Sequence, residues 1–275
     1  MIFGVHCDVR GGYVPALRHA ESLGCGAMQM LSYRRHHEPV PDELAGFRAA
    51  FSESALSRLV LHVRYLPSLG AEDAGRRRRS VDLLAREVRL ARSLGGDWLV
   101  MHMGAYSSGS SLVRGTRLFA EGVRAALDEA GAEVPLAVEN VPGGGRRMGG
   151  SLEELAALLE ALDRLSVRAH VCLDTAHAWA YGYEIDGREG MWRFLGKLHR
   201  LIGAERVSVF HLSDTRVPLG AHREHHWHLG EGFLGTECLA SLFEREEFRT
   251  AVGILETPAG AGLDAANLKR AHSLL

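Results

Sequence analysis

Residues 58–62 read Arg-Leu-Val-Leu-His and residues 98–102 read Trp-Leu-Val-Met-His. Each is an apolar run too short for a helix, and each stops on a histidine. Runs of this length, bounded by polar residues, read as buried strands. The same unit recurs along the whole chain, giving strand candidates at Phe3–Cys7, Ala27–Leu31, Leu59–Val63, Trp98–Met103, Leu136–Val141, Ala169–Asp174, Val207–Leu212 and Val252–Glu256. Between them lie stretches with helical periodicity, among them Val81–Leu94, Leu112–Ala130, Leu152–Leu165 and Gly190–Ile202, several closed by glycine as at Ser93-Leu94-Gly95. Eight such cycles with no excess strand predict an α/β fold of the (β/α)8 TIM-barrel type, a single domain spanning residues 1–275. An open, doubly wound sheet would carry a glycine-rich phosphate turn after its first strand. Gly11-Gly12 lacks the G-x-G-x-x-G spacing that such a turn needs.

In a barrel the residues that do chemistry sit where strands end, all on one face. His62 and His102 end the third and fourth strands, and Glu139 ends the fifth. Asp174 ends the sixth, with His177 three residues on; His211 and Glu256 end the seventh and eighth. The long loop between those last two strands, HREHHWHLGEG, adds Glu224, His225, His226 and His228. Any one of these has an ordinary explanation as a solvated or hydrogen-bonded strand end. Seven on six consecutive strands converge on one axis, where they would repel or be stranded out of water unless cations held them. His225, His226 and His228 compete for one place, which leaves nine donors; imidazole mixed with carboxylate suits zinc, manganese or iron, and nine donors suit three ions sharing a bridging carboxylate. Metal ions side by side are a device for phosphodiester hydrolysis.

Composition narrows the class further. The chain has 275 residues, 46% hydrophobic and 24% charged, with 32 Lys+Arg against 34 Asp+Glu for a net charge of -2, so a globally basic nucleic-acid coat is excluded. Only Lys197 and Lys269 are lysines; the remaining cations are arginines, and 15 histidines stand out as ligand or acid-base candidates. Cys7, Cys25, Cys172 and Cys238 form no C-x-x-C pair, which fits a reducing compartment. No signal-peptide pattern opens the chain and no apolar run approaches a membrane span, so a soluble, cytoplasmic protein is expected.

At this level of detail the sequence resembles the endonuclease IV family of apurinic/apyrimidinic endonucleases along essentially its whole length. The motifs that carry the likeness are GVHCDVRGG (4–12), HVRYLPSLG (62–70), VENVPGGG (138–145), CLDTAHAWAYGY (172–183), HLSDTR (211–216), HHWHLGEGFLG (225–235) and ILETP (254–258). The resemblance implies a TIM barrel with three zinc ions, for which Mn2+ or Fe2+ could substitute. His62 and His102 would bind one; Glu139 would bridge it to a second that also takes Asp174, His211 and Glu256; His177, His226 and Glu224 would hold the third. Catalysis would rest on Glu139, Glu256 and Asp174 as they activate a hydroxide that cuts the phosphodiester 5′ to an abasic site in duplex DNA. The chain departs from the family pattern at several points. Glu224-His225-His226 replaces Asp-Arg-His, Ala176 stands where the family has Cys, Ser213 and Arg216 replace Asn and Lys, and Ser32 to His37 replace a loop with Asn and Gln that ends in Trp.

DNA contacts would come from arginines of the strand-end loops, Arg34, Arg35, Arg64, Arg146, Arg147, Arg216 and Arg223, with Tyr33 and Tyr65 among them. Tyr65 matches the family's aromatic residue that enters the duplex beside the lesion. Arg76 to Arg79 read instead as a solvated helix face. His19, His170, His199 and His272 carry no ligand role, while His6, which ends the first strand, is placed to support the site from behind. A monomer without a membrane or an obligatory protein partner is expected. The competing reading is a sugar or sugar-phosphate isomerase or epimerase on the related xylose-isomerase-like barrel, using one or two divalent metals held mainly by carboxylates.

Overall fold

A computed structural model of the chain describes residues 1–275 other than 36, 65–67 and 261; Tyr65 therefore lies outside the described residues. Eight parallel strands close into a barrel: β1 (Ile2–Cys7), β2 (Ala27–Leu31), β3 (Arg58–His62), β4 (Trp98–Met101), β5 (Leu136–Glu139), β6 (His170–Asp174), β7 (Val207–Leu212) and β10 (Val252–Leu255). The last of these pairs with both β1 and β7, which completes the ring. The expected strands all exist, but several end one or two residues early: β3 and β5 stop on His62 and Glu139, and β4 and β10 stop one residue before His102 and Glu256. His102, for example, follows β4 instead of lying within it.

Helices form the outer layer, beginning with α1 (Tyr13–Ser22) and α2 (Pro41–Ser52). α3 (Ala74–Leu94) starts where the Asp73 carboxylate accepts the Arg76 N–H at 2.6 Å and stops at Gly95, whose φ of 82° suits a residue without Cβ. It begins well before the expected Val81, and Arg76, Arg78 and Arg79 are exposed on it, as a solvated face requires. α4 (Leu112–Ala130) and α5 (Leu152–Asp163) are capped in the same way by Ser111 and Ser151.

The inside of the barrel explains where the site sits. Side chains of a strand alternate between faces, so every second residue points inward. Ala27, Val60, Val100, Ala137, Cys172, Val209 and Ile254 pack together as a small-residue layer with no exposure. Two positions further along each strand stand Gln29, His62, His102, Glu139, Asp174, His211 and Glu256. A dry aliphatic floor is thus followed, one pleat higher, by a ring of polar groups. Gly4 fits β1 into this floor, since a Cβ there would lie 2.2 Å from the Ala27 carbonyl oxygen.

One feature contradicts the expectation of no additional strand. A two-stranded antiparallel ribbon, β8 (Asp214–Thr215) with β9 (His226–Trp227), sits outside the barrel and carries His226 toward it. Two residues per strand are too few to show any alternation. What fixes the ribbon and the loop after it is Asp214, a buried carboxylate that accepts N–H bonds from Thr215 (2.7 Å), Leu234 (2.8 Å), Gly232 (2.9 Å) and Gly235 (3.1 Å). Asp214→Ala is expected to lower stability by about 3 kcal/mol or more, because four backbone donors lose a charged acceptor. Denaturant unfolding checks this, and a midpoint equal to that of the parent chain contradicts it.

Candidate metal centre

The imidazoles of His6, His62, His102, His177 and His226 and the carboxylates of Glu139, Glu224 and Glu256 wall a cavity of about 450 Å³, with His211 and Asp174 fully buried beside it. The rings follow one another around it: His211 to His62 at 5.9 Å between centroids, His62 to His102 at 5.4 Å, His102 to His177 at 5.8 Å and His177 to His226 at 5.2 Å. Glu139 stands at the middle, 1% exposed. Its Oε2 lies 3.1 Å from His62 Nε2 and 3.5 Å from His102 Nε2, and its Oε1 lies 3.0 Å from His211 Nδ1.

The donor atoms fall into four overlapping groups: His62, His102 and Glu139; Glu139, Asp174, His211 and Glu256; Asp174, His177 and His226; and Glu139, Cys172 and His211, the last of which draws on a buried thiol. The first three are the groupings that the family resemblance implies, with one change. Asp174 joins the second group to the third, whereas Glu224 enters no group and instead meets His177 Nε2 through Oε2 at 2.9 Å. The Glu224 carboxyl is held down at about 2, first by that contact and then by the neighbouring imidazoles against the effect of burial. Asp174 does two jobs. Its Oδ1 accepts the His177 N–H at 2.6 Å and so starts α6 (Thr175–Tyr181), which is how His177 comes to face the cavity from a helix.

The imidazoles are oriented from behind. His62, His177 and His226 each donate Nδ1–H to a backbone carbonyl, of Val63 (2.9 Å), Asn140 (2.9 Å) and Glu256 (3.1 Å) respectively. That fixes the tautomer and turns the Nε2 lone pair inward. Those lone pairs then face carboxylate oxygens: Glu139 Oε2 for His62, Glu224 Oε2 for His177 and Asp174 Oδ2 for His226 at 3.5 Å. Asp174 Oδ2 and His102 Nδ1 are buried with no hydrogen-bond partner among the described residues. Electron-rich atoms pointed at one another in a dry site fit a cation between them, and the donor set fits divalent metal ions.

Protonation directions carry the same message. Burial acts to raise the Glu139 carboxyl, yet His102, His211 and His177 outweigh it and hold it well below the usual range. Burial likewise acts to lower His177 and His211, and the groups facing them override it and push both well up: Asp174, Glu139 and Glu224 for His177, and Cys172 with Glu256 and Glu139 for His211. Cys172, beneath the cluster, stays a thiol, its pKa raised to about 12 chiefly by burial.

The loop residues expected at the DNA are not all placed alike. Arg64 and Arg147 line the cavity with the donors, and Arg34 and Arg35 line a neighbouring recess with Arg64. Arg146 and Arg223 are exposed outside both, and Arg216 lies 3.4 Å over the Trp227 ring. Tyr33 is a correction. It is 5% exposed, with the Arg86 guanidinium 4.0 Å over its ring, so it is part of the packing and presents no face to a substrate. His228, buried against Asn267, is not a competitor of His226, and His6 supports Glu256 from 3.3 Å as expected.

Two residues escaped the sequence reading. Asn140 clamps the sixth strand end, donating to the Asp174 carbonyl (3.0 Å) and accepting the Asp174 N–H (2.6 Å). Gln29 is fully buried; its Oε1 accepts from His211 Nε2 (2.8 Å) while its Nε2 donates to Glu256 Oε1 (2.5 Å) and His6 Nδ1 (2.8 Å). The one signal was a lone amide inside the apolar run Ala27-Met28-Gln29-Met30-Leu31. Because Gln29 sets the tautomer of His211, Gln29→Leu is expected to weaken metal retention by about 10- to 100-fold, read by chelator competition; unchanged retention contradicts it.

Residues 17–274 match the family described as the xylose isomerase-like TIM barrel. The curated "Probable endonuclease 4" of Solibacter usitatus is 33% identical over 285 residues, covering 100% of this chain and 97% of the relative. That of Chloroflexus aggregans is 32% identical, with coverages of 99% and 97%. Among solved structures, endonuclease IV from Thermus thermophilus superposes with a TM-score of 0.87 at 34% identity, covering 100% of this chain and 98% of the other. A D-tagatose 3-epimerase-like protein shares the fold, with a TM-score of 0.76 at 16% identity. With full-length identity of this order and the donor ring at its strand ends, the chain belongs to the endonuclease IV family of xylose isomerase-like TIM barrels.

Proposed function

We propose that this protein is a zinc-dependent endonuclease that hydrolyses the phosphodiester 5′ to abasic sites in duplex DNA, as a cytoplasmic enzyme of base excision repair. One observation carries the reading: three imidazoles with backbone-fixed tautomers aim their remaining lone pairs at carboxylates across one cavity. The endonuclease names of the full-length relatives support the same substrate class.

His62, His102 and Glu139 would hold one ion, Glu139, Asp174, His211 and Glu256 a second, and His177, His226, Asp174 and Glu224 a third. Bound there, the ions supply activation of the attacking water and neutralisation of the phosphate's charge. Glu139, Asp174 and Glu256 keep the donor set anionic. Burial works against ionisation of Glu256, and His211 and His6 overcome it. Gln29 and the backbone carbonyls hold the imidazoles in their tautomers, so no reorganisation is required as the substrate arrives. Arg64 and Arg147, in the cavity wall, bring positive charge to the phosphate's outer oxygens. The number of imidazoles favours this reading over a sugar isomerase, whose ions are met mainly by carboxylates.

Metal-replete protein incubated with a duplex bearing one abasic site is expected to nick it on the 5′ side, leaving a 3′-hydroxyl and a 5′-deoxyribose phosphate. Metal analysis is expected to find about three zinc per chain, following the three donor groups without the thiol. An intact oligonucleotide together with a single exchangeable manganese or magnesium would overturn the reading in favour of the isomerase. Glu256→Gln is expected to lower the cleavage rate by ~10²-fold or more, since it removes one anionic donor from the second group; a rate within a few-fold of the parent chain counts against that role.

A further inference from the structure

Residues 216–225 cross from β8 to β9 as a strap, and α6 is what holds them down. The Trp179 indole N–H donates to the Val217 carbonyl (3.0 Å), and carbonyls near the end of the helix accept two strap N–H groups, Gly220 at Trp179 (3.2 Å) and His222 at Ala180 (2.9 Å). The same helix carries His177. Beyond His222 the support thins: between it and β9 one backbone bond remains among the described residues, from the Arg216 N–H to the His225 carbonyl at 3.2 Å. Glu224 lies in that stretch with its side chain 61% exposed, and His177 is its one hydrogen-bond partner among the described residues.

His222 is therefore the last fixed point before Glu224, and it is fixed in an unfavourable conformation. Its φ of 54° lies in the left-handed region, which among the described non-glycine residues only Ser166 shares. Three contacts keep it there. Besides the N–H bond to Ala180, its Nδ1–H donates to the Pro142 carbonyl at 3.0 Å, and its ring meets Tyr181 edge-on at 5.8 Å between centroids. The loop after β5 is shaped to receive it: a Cβ on Gly143 would stand 3.0 Å from His222 Nδ1, and one on Gly144 3.0 Å from the His222 carbonyl oxygen. A backbone held off its preferred region persists only where its surroundings over-determine it. Two residues on, Glu224 lines the metal cavity, while Arg223 between them stays outside it.

We propose that His222 is a positioning residue for the third metal ion. It latches the strap to α6 and to the loop after β5, and the latch sets the backbone from which Glu224 reaches His177. An exposed glutamate gives up side-chain freedom when it holds an ion, and a backbone fixed beforehand keeps the loss to the side chain alone. The donors of the first two ions come from strand ends and do not depend on the strap, so the latch acts on one ion of the three. The proposal rests on the three-ion reading above and adds the residue on which the third ion depends.

The test loads each full-length chain with zinc and follows the ions retained as a competing chelator is raised. The parent is compared with four variants. His222→Gly adopts a positive φ freely but has no ring, whereas His222→Asn tolerates the same φ and carries Nδ2 where the imidazole has Nδ1, on the same carbon. Ala221→Gly adds freedom beside the latch and leaves it in place, and Glu224→Ala removes the carboxylate itself. The parent, His222→Asn and Ala221→Gly are expected to retain their ions alike. His222→Gly is expected to release one ion of the three at about 10- to 100-fold lower chelator, as Glu224→Ala does, with the other two held as in the parent. The proposal is overturned if His222→Gly keeps its third ion as the parent does, or if all three ions loosen together, as a merely structural role requires. It is overturned equally if His222→Asn or Ala221→Gly behaves as His222→Gly does. A parent chain that holds fewer than three ions overturns the three-ion reading and the latch with it, and the parent alone shows this. A parent that holds three ions but leaves the abasic duplex intact fails only the endonuclease reading, since the ion count still decides the latch.

Discussion

The structure turns on a single electrostatic problem: electron-rich atoms of eight side chains face one another in a space from which water is largely removed. A carboxylate and an imidazole lone pair at 3 Å repel unless something positive lies between them. Without metal, protons fill that role, which is why His177 and His211 are pushed well up while Glu139 and Glu256 are held down. Metal ions must displace those protons, so loading and acidity are linked by construction. The rest of the barrel serves this arrangement. The aliphatic layer of Val60, Val100, Val209 and Ile254 closes the cavity from below, and the backbone carbonyls of Val63, Asn140 and Glu256 decide which nitrogen of each imidazole looks in.

Buried acids in this protein fall into two kinds, separated by what their oxygens meet. Asp214 is surrounded by four backbone N–H groups, and Glu87 by the Ser32 hydroxyl and the Arg64 N–H; both are satisfied and hold loops. Asp174 spends one oxygen on the start of α6 and leaves the other without a donor among the described residues. The satisfied acids build the frame, and the unsatisfied one marks where a ligand belongs.

That division also explains what could be read from the sequence. The six strand-end donors were legible because two rules coincide on them: side chains alternate along a strand, and barrel sites gather at strand ends. Gln29 obeys the first rule but lies inside its strand, two residues before the end, where a lone amide looks like a packing irregularity. Tyr33 misled in the opposite direction. A tyrosine next to two arginines in a strand-end loop suggests a stacking platform, but Arg86 on α3, more than fifty positions away, covers its ring, and no local pattern announces a contact of that range. The β8–β9 ribbon was hidden for a third reason, since its register depends on the Asp214 carboxylate and on nothing periodic.

Net charge is the last point on which sequence and structure have to be reconciled. A total of -2 looks hostile to DNA, but arginines on the outer helices are largely consumed by partners: Arg78 by Asp82 and Glu129, Arg114 by Glu72, Arg124 by Asp128, Arg164 by Glu160 and Arg188 by Glu244. Around the barrel mouth, Arg35, Arg146, Arg147, Arg216 and Arg223 have no carboxylate within 4.0 Å among the described residues, and Arg146 and Arg147 are pointed by the carbonyls of Tyr106 and Gly143. Exposed ion pairs contribute little to stability, so the paired helix arginines neutralise acids at small energetic consequence. The mouth is left with a field that the sum over the chain conceals. A polyanion approaching this protein meets that local field within a Debye length of the mouth, while the net acidic remainder of the chain, lying farther off, is screened.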